Sequence, residues 1–146
     1  MVKYKLVIEY IGTEFAGFQV QKGDLPTIQG ELQAVLSKIF NIPVKVTGAG
    51  RTDAGVHALT QVVHFTADKD FPIDRLRRAI NGNINKNIIV KKAEIAPEGF
   101  HARFSAKSRK YIYVVHNSPV PSAFYLNKAY WVYENLNFEA MKDACA

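Results

Sequence analysis

The sequence has almost no cysteine and no long apolar run. Its single cysteine, Cys145, has no internal disulfide partner and no second thiol for a cysteine-based metal site. This usage is typical of a reducing compartment, so we expect a cytoplasmic protein without a structural metal. No apolar run approaches the roughly 18–20 residues of a membrane span, and no apolar segment typical of a signal peptide follows Met1. We therefore expect no membrane partner.

The composition is not that of a disordered chain. Of the 146 residues, 48% are hydrophobic and 22% are charged, and no low-complexity tract or repeat interrupts them. A chain of this length can bury enough surface to form one core without disulfides. We expect a single α+β domain over residues 1–146.

Positive charge is concentrated in one part of the chain. The net charge is +6, and the segment 75–128 alone contains eleven Lys or Arg and two Glu, which gives it +9. A one-sided positive field favours a polyanionic partner such as a nucleic acid. A lysine-rich solvated face would give the same pattern, and charge alone does not separate the two.

Hydrophobic periodicity predicts the order β-α-β-β-α-β, which is the ferredoxin-like arrangement. The four strands are expected at residues 3–11, 44–47, 59–67 and 88–95. Thr27 is a suitable N-cap for the first helix, and Pro72 suits the first turn of the second.

Further antiparallel strands are expected at residues 107–115 and 129–133. Asn137 is placed to cap a last helix, which is only about two turns long before the sequence stops. A helix that short has little to pack against, which suggests a fragment of a longer protein.

The turn at residues 48–57 (GAGRTDAGVH) is the segment most indicative of chemistry. It is glycine-rich but matches neither familiar phosphate loop. A dinucleotide-binding fingerprint needs glycine where Asp53 stands and a helix directly afterwards, and a P-loop needs Gly-Lys-Ser/Thr. The sequence therefore predicts no nucleotide cofactor at this turn.

Arg51 and Asp53 are two residues apart in this turn. In extended backbone such positions project to the same side, so Arg51 can pair with Asp53 and keep its carboxylate ionised. A positioned carboxylate can act as a nucleophile or as an electrostatic stabiliser. The alternative is an ordinary turn aspartate beside a surface arginine.

Several motifs along nearly the whole chain resemble the tRNA pseudouridine synthase A family. They are residues 50–58 (GRTDAGVHA), 10–21 (YIGTEFAGFQVQ), 27–32 (TIQGEL), 61–65 (QVVHF) and 100–111 (FHARFSAKSRKY). Two positions depart from the family pattern, because Ile11 replaces a usual aspartate and Phe18 a frequent tryptophan. The resemblance covers the N-terminal half of family members, which continue into a second α+β half.

The resemblance implies an enzyme that isomerises uridine to pseudouridine in the anticodon stem-loop of tRNA, at nucleotides 38 to 40. It implies no cofactor, a homodimer, and the N-terminal half of a pseudouridine synthase fold. Asp53 would be the catalytic nucleophile. Arg51 would orient Asp53 and bind a phosphate of the substrate, and Tyr111 would stack on the target uracil. Because the second half is missing, we expect the 146-residue chain alone to be inactive.

Other basic residues are candidates for RNA phosphate contacts. They are Arg75, Arg77, Arg78, Lys107, Arg109 and Lys110. A solvated surface role is equally compatible with each of them. Tyr113 is expected to pack in the core, since a lone aromatic in a strand usually does.

The competing hypothesis is a non-catalytic RNA-binding or dimerisation fragment of such an enzyme. A ferredoxin-like RNA-recognition module would carry a Lys/Arg-Gly-Phe/Tyr-Gly/Ala-Phe-Val-x-Phe/Tyr run on a central strand, and the sequence has none.

Overall fold

The computed structural model describes residues 1–145 and divides the chain into two compact units. The first unit is Met1–Arg109 and the second begins at Lys110. In the first unit, four strands and two helices follow the predicted order. They are β1 (Val2–Tyr10), α1 (Ile28–Phe40), β2 (Val46–Gly48), β3 (Ala58–Ala67), α2 (Ile73–Asn81) and β4 (Ile88–Ile95).

The four strands form one sheet in the order β2-β3-β1-β4, and every neighbouring pair is antiparallel. The predicted ferredoxin-like α+β fold is confirmed. β1 is central, because it pairs with β3 through Val2↔Ala67 and with β4 through Tyr4↔Ile95.

The core lies between one face of this sheet and the two helices. Along β1 the side chains of Tyr4, Leu6 and Ile8 are fully buried, as the period-two pattern predicts. Leu32 of α1 and Leu76 of α2 are also fully buried. Burying each such apolar side chain contributes about 1.5–3 kcal/mol to folding.

The two ends of α1 are specified by local residues. The Thr27 hydroxyl accepts a hydrogen bond from the Gly30 N–H at 3.1 Å, so the predicted N-cap is confirmed. The helix ends at Phe40 because Asn41 adopts the left-handed conformation, with φ of 55°.

A bulge in β4 explains an interruption in its alternation. Val7 pairs with Lys92 while Ile8 pairs with Val90, so Lys91 is an extra residue on that strand. Lys91 and Lys92 are consequently both exposed, and they form ion pairs with Glu9 and Glu94 respectively.

The second unit contains short elements only. They are β5 (Val115–Asn117), a 3-10 turn (Ala123–Tyr125), β6 (Tyr130–Val132) and α3 (Phe138–Asp143). The predicted cap of the last helix is confirmed, since Asn137 Oδ1 accepts from the Ala140 N–H at 3.0 Å.

Three expectations for this part of the chain are wrong. The strand predicted at 107–115 is a strand only from Val115 onward, because residues 107–114 form no ladder with another described strand. The additional strands are parallel and not antiparallel, since residues 118–129 between them provide a crossover long enough to reverse the direction. Tyr113 is 91% exposed and does not pack in a core.

No helix in the part of the chain that the structure describes is long and apolar enough to cross a membrane.

Candidate functional site

The Asp53 loop (residues 49–57) joins β2 to β3 and is backed by the N-terminal loop (residues 11–27), which joins β1 to α1. Main-chain hydrogen bonds connect the two loops. The Phe18 N–H donates to the Thr52 carbonyl at 2.9 Å, and the Gly55 N–H donates to the Phe15 carbonyl at 3.2 Å. These bonds hold the backbone on either side of Asp53.

Two glycines of the N-terminal loop allow the loops to approach so closely. A Cβ atom added at Gly12 would lie 1.9 Å from the Val56 carbonyl oxygen, and one at Gly17 would lie 2.7 Å from that of Thr52. Gly17 also has a φ of +100°, which disfavours any side chain. Only glycine fits this contact at both positions.

Thr52 is the inward-facing residue of the Asp53 loop. Its hydroxyl lies 2.8 Å from the hydroxyl of Tyr10, the last residue of β1, which is 3% exposed. Burial raises the pKa of Tyr10, so this hydroxyl stays protonated at neutral pH and the hydrogen bond persists. Since side chains alternate in extended backbone, anchoring Thr52 directs its two neighbours to the opposite side.

Arg51 and Asp53 are accordingly both exposed. The ion pair predicted between them is not formed, and among the described residues neither side chain has a hydrogen-bond or ion-pair partner. An exposed pair gains little free energy, because water solvates both charges and two side chains must be ordered. The loop therefore presents a carboxylate and a guanidinium whose polar atoms are available to a ligand.

These two side chains line an open cleft of about 670 Å³, within the usual range of small-ligand sites. The N-terminal loop forms its other wall. The lining residues are Ala16, Gln19, Val20, Gln21, Leu25, Arg51, Thr52, Asp53 and Ala54.

Gln19 and Gln21 were not predicted as site residues. Gln21 donates from Nε2 to the Ala16 carbonyl at 2.6 Å, which helps to shape the N-terminal loop. Two sequence signals were available: the glycine-containing segment 12–24, which indicates a loop, and the resemblance of residues 10–21 to the family motif. Neither indicates where that loop lies.

Of the remaining predicted site residues, Arg109 is the only one that the first unit places against the Asp53 loop. Its guanidinium donates to the Ala49 carbonyl. Lys107 is exposed, and Tyr111 and Lys110 are exposed residues of the second unit. Three further basic residues are exposed on α2, namely Arg75, Arg77 and Arg78.

The segment that leads to Arg109 is fixed on the sheet by a buried histidine. His64 Nδ1 accepts from the Ala102 N–H at 3.1 Å, and Lys3 Nζ donates to the Phe100 carbonyl at 2.9 Å. Burial lowers the pKa of His64, and the nearby His101 and Lys3 lower it further. His64 therefore stays neutral at physiological pH, as its role of acceptor requires.

Among residues 1–145, no group of three or more His, Cys, Asp or Glu is arranged to hold a metal ion.

Comparison with known proteins identifies the family in which this site occurs. A family model described as tRNA pseudouridine synthase matches residues 6–105, which include the whole Asp53 loop and the N-terminal loop. The tRNA pseudouridine synthase A of Dictyoglomus turgidum is 47% identical over 143 residues, covering 97% of this chain and 58% of that protein.

Two more relatives carry the same name. That of Ruminiclostridium cellulolyticum is 45% identical over 144 residues, and that of Caulobacter vibrioides is 40% identical over 145 residues. Each alignment covers 99% of this chain and 58% of the relative, so the chain spans little more than half of their length. The match extends through the loops that build the cleft, and the chain belongs to the tRNA pseudouridine synthase family.

Proposed function

We propose that the protein isomerises uridine to pseudouridine in the anticodon stem-loop of tRNA, with Asp53 as the nucleophile. The observation that carries this proposal is the position of Asp53, exposed on the wall of a nucleotide-sized cleft in a loop whose backbone is tied down on both sides. The chain spans 58% of the length of the relatives it matches, and the proposal concerns an enzyme of that full length.

The reaction requires breaking the bond between uracil N1 and ribose C1′, turning the base, and joining C5 to C1′, after which C5 loses its proton and N1 is protonated. Enzymes that act on a base take it out of the helical stack and into a pocket, and the open cleft can receive one. A carboxylate serves two routes, either attacking the sugar or base covalently or stabilising a detached intermediate. Both routes place the carboxylate of Asp53 against the target nucleotide.

Arg51 supports this role as a substrate-binding residue. Its exposed guanidinium lies in the same cleft wall and has no partner among the described residues, so it can donate to a phosphate of the flipped nucleotide. Tyr111 is proposed to stack on the uracil, because exposed aromatic side chains bind bases through their ring faces.

The exposed basic residues of the segment 75–128 are proposed to bind the tRNA backbone, except Arg109, whose guanidinium is engaged with the Ala49 carbonyl. Phosphate contacts fix the position of an RNA without reading its sequence, which suits a substrate recognised by its shape. The proposal further includes a cytoplasmic homodimer that works without a cofactor or a metal ion.

The decisive variant is Asp53→Asn, which keeps the size of the side chain and removes its charge. In the full-length protein, release of tritium from tRNA carrying 5-tritiated uracil should fall by about a thousandfold or more, as for other removed nucleophiles. tRNA affinity and the unfolding midpoint should change little, because the Asp53 side chain supports no described contact.

Asp24→Asn is the matched control, since Asp24 is an exposed aspartate of the N-terminal loop outside the cleft lining. It should turn over at the wild-type rate. Activity of Asp53→Asn within tenfold of wild type would remove Asp53 from the nucleophile role. A wild-type protein that binds tRNA and releases no tritium would instead favour the non-catalytic RNA-binding alternative.

A further inference from the structure

Arg109 makes an unusual contact with the start of the Asp53 loop. Its Nε and Nη2 atoms both donate to the carbonyl oxygen of Ala49, at 3.1 and 2.6 Å. Nη2 also reaches the carbonyl oxygen of Arg103 at 3.5 Å. The guanidinium thus joins the loop to the segment that precedes Arg109 in the chain.

The peptide groups just before Arg51 are held from several directions. The Ala49 N–H donates to the Val62 carbonyl at 2.8 Å, while the Ala49 carbonyl receives Arg109. The next carbonyl, that of Gly50, accepts from Gln61 Nε2 at 2.8 Å. The arginine side chain also covers Gly50, where an added Cβ would lie 3.3 Å from Arg109 Nε.

We propose that Arg109 is a positioning residue of the catalytic loop and not one of the tRNA phosphate contacts. It holds the Ala49 carbonyl, and through it the backbone that presents Arg51 and Asp53 to the cleft. This inference rests on the proposed function, in which Asp53 attacks or stabilises the target nucleotide.

The chemistry of the contact requires arginine and not merely a positive charge. Two donors of one planar guanidinium converge on a single carbonyl oxygen, a geometry that the compact ammonium of lysine does not reproduce. A phosphate contact is less demanding, because a lysine can also serve there as a point charge. Replacing Arg109 by lysine therefore separates the two roles.

The experiment compares Arg109→Lys, Arg109→Met and the control Lys38→Met in the full-length protein, since Lys38 is an exposed lysine of α1 outside the basic segment 75–128. Single-turnover tritium release gives the rate on the enzyme, and filter binding at several salt concentrations gives tRNA affinity. Because a displacement of about 1 Å can cost a hundredfold in rate, both Arg109 variants should lose about 10- to 100-fold in kcat. Their tRNA affinity should stay within about threefold of wild type, and Lys38→Met should keep both the wild-type kcat and the wild-type tRNA affinity.

The proposal is overturned if Arg109→Lys keeps the wild-type kcat while Arg109→Met binds tRNA less tightly. In that case the salt dependence of Arg109→Met would also be shallower by about one phosphate contact.

Hydrogen exchange provides a readout that does not depend on catalysis. Amides of residues 49–57 should exchange faster in both Arg109 variants, with β1 unchanged, because the loop loses a restraint while the core does not. Unchanged exchange in this segment would overturn the positioning role. A wild-type protein without tritium release would refute the proposed function, and the exchange measurement would still decide whether Arg109 fixes the loop.

Discussion

Gly12→Ala tests whether the close contact between the N-terminal loop and the Asp53 loop positions the carboxylate. The new methyl carbon would lie 1.9 Å from the Val56 carbonyl oxygen, whereas such contacts are essentially never shorter than 3.0 Å. The two loops must therefore separate by about 1.1 Å. Gly12 is not among the positive-φ residues, so steric overlap and not backbone strain is the cause.

The expected cost has two parts. Overpacking costs about 1–3 kcal/mol, and weakening the bond from the Gly12 N–H to His57 Nδ1, now 3.0 Å, costs about 1 kcal/mol. We expect the free energy of unfolding to fall by about 2–4 kcal/mol. Because Asp53 lies three residues before Val56, a shift of this size should also lower kcat by about a hundredfold.

Urea unfolding and single-turnover tritium release measure these two effects on the same variant. Gly23→Ala is the control, since Gly23 has a φ of +104° and no atom within 4 Å of an added Cβ. It should lose about 1–2 kcal/mol through backbone strain and keep its kcat. Wild-type stability and turnover in Gly12→Ala, or an equal loss of kcat in Gly23→Ala, would refute the positioning argument.

Three further predictions concern the ring of Tyr111, the buried His64 and the basic segment. Tyr111→Ala should lose about 1–3 kcal/mol of base binding, while Tyr111→Phe should bind tRNA normally. Slow turnover in the Phe variant would assign the hydroxyl to proton transfer. Normal binding and turnover in both variants would place Tyr111 outside the site. Burial lowers the pKa of His64 in the folded protein. As the pH falls below the ordinary histidine pKa of about 6.5, the unfolded chain takes up a proton that the folded chain does not, so the free energy of unfolding falls. Above that pH, His64 contributes no pH dependence to stability. Melting temperatures measured against pH should show this loss in the wild type and not in His64→Asn, and equal profiles would contradict it. Residues 1–146 alone should bind tRNA weakly and should not isomerise it. If roughly 6–10 phosphates are engaged, the affinity should fall by several powers of ten between about 50 and 200 mM salt. Salt-independent binding would show that the basic segment 75–128 is not the tRNA-binding surface.

The first unit of the fold could be predicted because its signals are local and mutually consistent. β1 alternates strictly, Thr27 caps α1 by a bond to a residue three positions away, and β4 has its predicted bounds, residues 88–95. The segment 107–114 ends in the strand-favouring run Tyr-Ile-Tyr-Val but forms no strand, because a strand depends on a partner that local composition does not reveal. The parallel pairing of β5 and β6 likewise depends on the path of the connecting residues 118–129, which local sequence patterns do not specify.

The candidate site, like the fold, could be predicted from the sequence only in part. Spacing correctly indicated that Arg51 and Asp53 project to one side, but not that they would remain unpaired, since solvation competes with an exposed ion pair. The role of the N-terminal loop could not be derived from spacing, because Gly12 and Val56 are brought together only by the sheet. Nothing in the sequence distinguishes Arg109 from the other basic residues, because its two donors meet the Ala49 carbonyl only in the folded chain.

The central position of β1 has a consequence for synthesis of the chain. Of the four strands of the sheet β1 is made first, yet both of its neighbours come much later, since β3 ends at Ala67 and β4 at Ile95. At roughly 5–20 residues per second, the ribosome needs about 4–17 s to add residues 11–95 after β1 is complete. Until β3 has been made β1 has two open edges, and until β4 has been made it has one; open edges invite pairing with other chains. Lys3, Lys5 and Glu9 alternate with apolar residues along β1, and we expect these charges to disfavour aggregation of the nascent strand until β4 is in place.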